Sequence, residues 1–434
     1  MKPMDRTDVN RIRFILTLLT LLRCVEGLEE PDIEAITRPS TASNKDATTV
    51  VSKRLIKRFL KTVGHRAGFK PSWSGRFHFT TKMGPNGHAM SATAADAVSL
   101  TLFDHWDLLC LGGSDLFTRF QGYLGIANRN HPGFILDVSG AILSATACRP
   151  WSNPSSAKLV AIPAPEGKTR IIGQLDYWSQ EALKPLHDYV MKLLRRIPND
   201  LTYRQSRGPS VMTRQPGHHF WSIDLKSATD RFPIMTQFTV LEVMFGTDIA
   251  WAWYITLRRP FKYGDDTVTY QAGQPMGSYS SWAVFTLCHH IIIWEAHRRA
   301  GIQVGKTYCV LGDDVVISND NVAEQYLKIL STLGVEASTA KTHKSTTCFE
   351  IAKRWYFRDG ENSYEFTPFP INSISVTVKS MSLVLQSLYE AVRKGWPLPS
   401  GSSLPEAAAG VSCVMKGNVS KGYYFHLLKL AKLC

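Results

Sequence analysis

The chain has 434 residues, enough for two or three subdomains around a substantial core, and its 50 Lys plus Arg outweigh 36 Asp plus Glu to give a net charge of +14. The excess is spread along the chain, which suits a protein lined with phosphate contacts and equally suits a solvated basic surface. The eight cysteines, at 24, 110, 148, 288, 309, 348, 413 and 434, form no Cys-x-x-Cys pair, which argues against zinc and a disulfide framework, and no apolar run reaches the length of a membrane span.

In chain order, the apolar stretch Phe14 to Leu22 lies between Arg13 and Arg23 and predicts a buried helix, since Asp5 and Asp8 spoil a basic signal-peptide start. Residues 29–50, rich in Pro, Ser, Thr and charge, read as a linker or surface loop. KRLIKRFLKTVGHR at 53–66 alternates cations with apolar residues at helical spacing and predicts an amphipathic helix with a solvated basic face. From 71 to 150 there are few signals and no repeat. KLVAIPAP and TRIIGQL then predict two strands around the turn Glu166-Gly167-Lys168, with Lys168 and Arg170 projecting from one face. Tyr177 to Arg196 reads as an amphipathic helix ended by Ile197-Pro198.

Chemistry-bearing residues gather in the following stretch. His219 to Leu225 predicts a buried strand ending in Asp224, with Asp230 six residues later. Gly-Asp-Asp occurs twice, at 264–266 in FKYGDDTVTY and at 312–314 in TYCVLGDDVVISN. In both copies strand-like flanks border a polar turn, and Gly and Asp are ordinary turn residues, so local pattern does not separate them. Between the copies stands a loop containing Gly273, Pro275 and Gly277, followed by a long helix. Only 312–314 completes the order of carboxylate strand, glycine loop with helix, and Gly-Asp-Asp hairpin. Two or three carboxylates on neighbouring strands are what a pair of Mg²⁺ ions requires. His289, His290 and His297 with Glu295 lie on that long helix, and with no His pair at i, i+4 they do not predict a metal site. Asn321 to Leu333, closed by Gly334, predicts a helix under the sheet with core residues at 327, 329, 330 and 333.

The chain resembles the viral RNA-dependent RNA polymerases of mitoviruses and their narnavirus relatives. The resemblance is carried by IDLKSATDRFP (motif A), GQPMGSYSSW (motif B) and LGDD (motif C), with EGKTRIIGQLDYWSQ at 166–180 similar to motif F, Lys341 in STAKTHKS similar to the motif D lysine, and FEIAKRWYF at 349–357 similar to motif E. It implies an α+β, right-hand polymerase: a palm of antiparallel sheet and helices, fingers, and a short thumb. The implied divisions are 1–150 for the N-terminal and fingers region, 151–215 for fingers with motif F, 216–357 for the palm, and 358–434 for a partial thumb. The last of these looks truncated beside longer family members, as in a fragment or a viral gene copied into a host genome.

By the same resemblance Asp224, Asp313 and Asp314 are the metal and catalytic carboxylates, with Asp224 and Asp313 bridging two Mg²⁺ ions, or Mn²⁺ in their place. Lys341 protonates the leaving pyrophosphate, the alternative being a solvated surface lysine. Lys168 and Arg170 hold the triphosphate, although a Lys and an Arg on a hairpin are by themselves commonly just solvated. Asp230 accepts from the ribose 2′ hydroxyl, or serves as a helix N-terminal acid between Thr229 and Pro233. Gly273 and Gly277 let backbone approach template and nascent pair, and Ser278, Ser280 and Ser281 reach ribose. Many relatives carry an Asn in this helix where Ser281-Trp282 stands here, which leaves the sugar-selection geometry open. The implied partners are RNA template, nascent RNA and ribonucleoside triphosphates. Two alternatives are a reverse transcriptase or maturase, which usually has an aromatic where Asp230 stands, and an inactive virus-derived RNA-binding remnant. The implied location is the mitochondrion. Because the first thirty residues carry Asp5, Asp8, Glu26, Glu29 and Glu30 and lack an import-peptide pattern, synthesis inside the organelle is expected.

Overall fold

A computed structural model describes residues 6–20, 29–129, 154–164, 167–212, 216–339, 341–359, 362–369, 381–393, 396, 398, 401–415, 417 and 420–433. The chain divides into two compact units, residues 31–162 with 170–344, and residues 1–30 with 163–169 and 345–434. It is an α+β protein, as expected.

In the larger unit the β-branched runs pair as the sequence predicts. Its central sheet runs in the order His343–Ser345, Phe220–Ile223, Asp314–Ile317, Tyr308–Leu311. Phe220–Ile223 is antiparallel to Asp314–Ile317 in the register Trp221:Ile317, Ser222:Val316, Ile223:Val315, and Tyr308–Leu311 is antiparallel to the same strand from Tyr308:Ile317 to Leu311:Asp314. The helix Ser281–Ala300 is apolar almost all round and correspondingly buried from Ala283 to Ile293. It packs with the helix Asp320–Thr332, whose Ile329 and Leu330 join the same core. A second sheet has the order Thr169–Leu175, Ala157–Pro163, Phe261–Tyr263, Asp266–Val268. One continuous apolar core, running from Ile36 to Val335, supports both sheets. The basic helix forms over Lys53–Thr62, burying Leu55, Ile56, Phe59 and Leu60 and exposing its cations. The predicted helix after motif F forms over Tyr177–Leu194.

The segment expected to be a linker is instead packed structure. It forms short helices at Glu34–Thr37 and Asn44–Thr49, with Ile36 and Ala47 buried. The Arg231 guanidinium donates to the carbonyls of Ala35, Arg38 and Pro39, a tie between residues almost two hundred positions apart that composition cannot reveal.

The smaller unit contains a three-stranded meander, Cys348–Ile351, Arg354–Asp359 and Asn362–Glu365, in which Ala352 and Lys353 both take positive φ at the first turn. Asp359 pairs with Asn362, and Gly360 between them lies outside the described residues. Towards the C-terminus the helices Met381–Arg393 and Lys421–Leu433 form, and a further helix, Leu404–Met415, packs between them through Ala408, Ala409 and Cys413. The N-terminal apolar stretch is helical over Arg6–Leu19 but not buried. Phe14, Ile15, Leu18 and Leu19 are exposed, because the helix turns Val9 and Arg13 inward and Arg13 donates to the Glu365 carbonyl. Among the described residues no helix is long and apolar enough to cross a membrane.

Candidate active site

The site is built at the ends of two paired strands. The register of Ile223 with Val315, continued by one residue, sets Asp224 alongside Asp314. Leu311 and Asp314 close a hairpin whose central residues are Gly312 and Asp313, and Gly312 has φ +62°, the left-handed conformation that a two-residue hairpin asks of its first central residue. Asp224 and Asp313 are close enough for the Asp224 charge to help raise the Asp313 carboxyl. Desolvation by the surrounding protein is the larger cause, although Asp313 keeps an exposed face. Its own backbone N–H, Arg170 and Lys341 pull the other way.

Lys341 arrives on a loop zipped along motif A. Lys226 N–H donates to Glu336 O at 2.9 Å, Leu225 bridges Ala337, and Ser338 N–H donates to Asp224 O at 2.8 Å. The lysine Nζ then lies 3.1 Å from Asp224 Oδ2. Arg170 is exposed on the strand Thr169–Leu175, and that strand is tied to the glycine loop by Gly173 N–H donating to Met276 O at 2.7 Å. The structure therefore brings together Asp224, Asp313, Asp314, Lys341 and Arg170. Lys168 is half-buried in the smaller unit, just before that strand, and Glu166 of the same turn lies outside the described residues.

Asp230 lies in the single helical turn Ala228–Arg231, its N–H donating to Ser227 O at 3.0 Å. Its Oδ1 is buried with no hydrogen-bond partner, and its carboxyl is pushed up to about 7, first by burial and then by Asp32, against the pull of Arg231. The glycine loop is laid on this turn: Gly273 N–H donates to Asp230 O and Gln274 N–H to Thr229 O. A Cβ at Gly273 would fall 2.1 Å from Thr229 O, and one at Gly277, which has φ +107°, would fall 2.6 Å from Ile172 Cγ2. Both glycines allow close approach to protein. The three serines that follow are buried, and the hydroxyls of Ser278 and Ser281 have no hydrogen-bond partner among the described residues. Ser280 is buried and its Oγ accepts from Trp253 Nε1 at 2.8 Å, Ser281 is buried with its carbonyl accepting from Gln274, and Ser278 is also buried.

The helix histidines are engaged by protein. His290 Nε2 is 3.0 Å from Asp200 Oδ2, His297 lies 2.7 Å from Thr307 Oγ1, and Glu295 accepts from Arg298 and Arg299. His289 bridges Gly312 O and the Tyr326 hydroxyl, each at 2.7 Å, a link to the 312–314 turn that sequence reasoning missed and that no local signal announces.

The first Gly-Asp-Asp forms the same kind of turn, Tyr263 pairing with Asp266 and Gly264 at φ +59°. It lies in the second sheet with Gly264, Asp265 and Asp266 exposed, and a Cβ at Gly264 would meet nothing within 4 Å. At Gly312 a Cβ would fall 2.7 Å from Trp282 Nε1.

Among the described residues no three His, Cys, Asp or Glu side chains already converge as a metal cage. The donor set is that of a hard divalent cation held by one or two carboxylates and completed by substrate phosphates, the mode Mg²⁺ prefers. The mutual repulsion of Asp224 and Asp313 is what such an ion relieves.

The family described as mitovirus RNA-dependent RNA polymerase matches residues 71–422. The RNA-directed RNA polymerase of Cryphonectria parasitica mitovirus 1 is 31% identical over 88% of this chain and 46% of its own length, so the chain spans about half of that relative. An uncharacterised mitochondrial protein of Arabidopsis thaliana is 36% identical over 39% of this chain and 71% of its own. Among solved structures, an insertion-loop deletion mutant of a human picorbirnavirus RNA-dependent RNA polymerase aligns over 97% of this chain and 94% of its own at 14% identity and a TM-score of 0.44.

Proposed function

The chain belongs to the mitovirus RNA-dependent RNA polymerase family, and from that membership we propose that it catalyses template-directed RNA synthesis by nucleotidyl transfer. The observation that carries the proposal is the juxtaposition of Asp224 with the Gly312–Asp313–Asp314 turn on adjacent strands, with Lys341 at 3.1 Å. Asp224 and Asp313 would hold two Mg²⁺ ions, for which Mn²⁺ could substitute, with Asp314 in support. Bound there, divalent ions activate the attacking 3′ hydroxyl and stabilise the charge on the leaving pyrophosphate. Lys341 holds the proton that the leaving group takes up. Arg170, exposed and acting on Asp313, orients the triphosphate together with Lys168. The unpartnered Asp230 Oδ1 accepts from the 2′ hydroxyl of a ribonucleotide. In this reading residues 216–357 are palm, 1–150 and 151–215 N-terminal region and fingers, and 358–434 part of a thumb. The protein acts in mitochondria on RNA template, nascent RNA and ribonucleoside triphosphates. Extension of an RNA primer on an RNA template by the purified chain with Mg²⁺ and labelled ribonucleotides tests it. Template-dependent product is expected. RNA binding without product would leave the remnant reading, and preferential use of deoxyribonucleotides the reverse-transcriptase one.

A further inference from the structure

His289 reaches the catalytic turn from the long helix beneath it. It is fully buried, with Nδ1 at 2.7 Å from Gly312 O and Nε2 at 2.7 Å from the Tyr326 hydroxyl. A carbonyl oxygen only accepts, so Nδ1 carries the proton. Nε2 is then the acceptor, and the Tyr326 hydroxyl donates to it. Tyr326, itself buried, also stacks on the imidazole with centroids 5.7 Å apart and planes at 25°. The tautomer is thus set by the Gly312 carbonyl, and the Tyr326 hydroxyl, from a second helix, donates to the ring nitrogen left unprotonated.

The carbonyl that His289 holds belongs to the same peptide unit as the Asp313 N–H. That unit is planar and trans, so its C=O and N–H point in opposite directions. That same N–H, next to the Asp313 side chain, helps hold its carboxyl down against burial. Gripping Gly312 O therefore fixes the plane on which the carboxylate leans. Trp282 closes the turn from another side, since any side chain at Gly312 would strike its ring. The first Gly-Asp-Asp has the same backbone sign at its glycine and open space around it.

We propose that His289 is a positioning residue which fixes the Gly312–Asp313 peptide plane, and with it the pose in which Asp313 receives a divalent ion, while Tyr326, bonded to Nε2 and stacked on the ring, anchors the imidazole that does so. The proposal rests on the reading of Asp313 as a metal-binding carboxylate. Its test compares two variants of the full chain. His289→Asn places an amide donor where Nδ1 was, and His289→Gln carries its amide on to where Nε2 was. Mn²⁺ binding without nucleotide, followed by electron paramagnetic resonance, is measured beside the Mg²⁺ dependence of RNA extension. His289→Asn is expected to keep the parent's Mn²⁺ affinity and rate, and His289→Gln to lose roughly 10-fold or more in both with RNA affinity unchanged, as for groups that orient metal ligands. Equal behaviour of the two variants overturns the proposal. If His289→Gln does not fold, Tyr326→Phe decides: weakened Mn²⁺ binding supports the proposal and parental binding overturns it. Asp313→Ala, run in parallel, separates the failures, because an active Asp313→Ala sinks the polymerase reading itself.

Discussion

Lys341 Nζ lies 3.1 Å from Asp224 Oδ2, so the cation assigned to the leaving group rests on a carboxylate assigned to the metals. The pair is half open, with the lysine side chain 56% and the aspartate 26% exposed, and so contributes little to stability. Its value is placement, because the lysine is held beside Asp224 and the 312–314 turn. A neutral replacement, Lys341→Gln, should lower the maximal rate about 10²-fold with nucleotide KM little changed. Lys341→Arg should recover only part, since guanidinium keeps the charge but holds its proton too tightly to give it up. Steady-state kinetics of the two variants check this, and full recovery by Arg would reduce Lys341 to a counter-ion.

Asp230 carries a buried acceptor, Oδ1, with no hydrogen-bond partner among the described residues. Asp230→Ala should narrow the preference for ribonucleotides over deoxyribonucleotides, because a lost hydrogen bond to the 2′ hydroxyl penalises only the ribose substrate. Competition between the two nucleotide types measures it. Unchanged discrimination would return Asp230 to the role of a helix-turn acid.

Asp107, 3% exposed with Oδ2 unpartnered, has its carboxyl pushed up to about 7 by burial, with Arg259 opposing and Asp104 adding to the rise. A raised carboxyl means the folded state keeps a proton that the unfolded state has already released. Stability is therefore lost as pH rises from about 4 through about 7, by a ceiling of about 4 kcal/mol for this group. Asp107→Asn should raise the melting temperature more at pH 8 than at pH 5, read by thermal denaturation across that range. The same gain at both would contradict the shift.

The two turn glycines should respond differently to a methyl group. Gly264→Ala has only the left-handed backbone to bear, about 1–2 kcal/mol. Gly312→Ala adds a clash at 2.7 Å with Trp282 and should lose both stability and nucleotide incorporation. Melting curves and extension assays on the pair compare them.

What the sequence made legible were features written locally. The β-branched runs beside Gly312 and before Asp224, the helix stop at Gly334, and the order of carboxylate strand, glycine loop and hairpin all appear in the structure where the residues placed them. The two Gly-Asp-Asp turns show the limit of that legibility. At φ +62° and +59° their glycines are near copies, and only Trp282 and His289, brought in by a distant helix, distinguish the second. The packed segment at 34–49 was illegible because its anchor is Arg231. The engagement of the Ser280 hydroxyl was illegible because Trp253, which donates to it, belongs to another element.

The central claim is that 312–314 is the chemical copy and 264–266 a turn, and nucleotide incorporation by two variants tests it most directly. Asp313→Ala should lose incorporation by roughly 10³-fold or more while keeping the parent's melting temperature, because it removes a carboxylate that positions the activating ions. Asp265→Ala combined with Asp266→Ala, at an exposed turn, should change stability by about 0.5 kcal/mol or less and leave incorporation close to the parent's. Near-normal incorporation by Asp313→Ala, or a loss as deep in the double variant, would contradict the account.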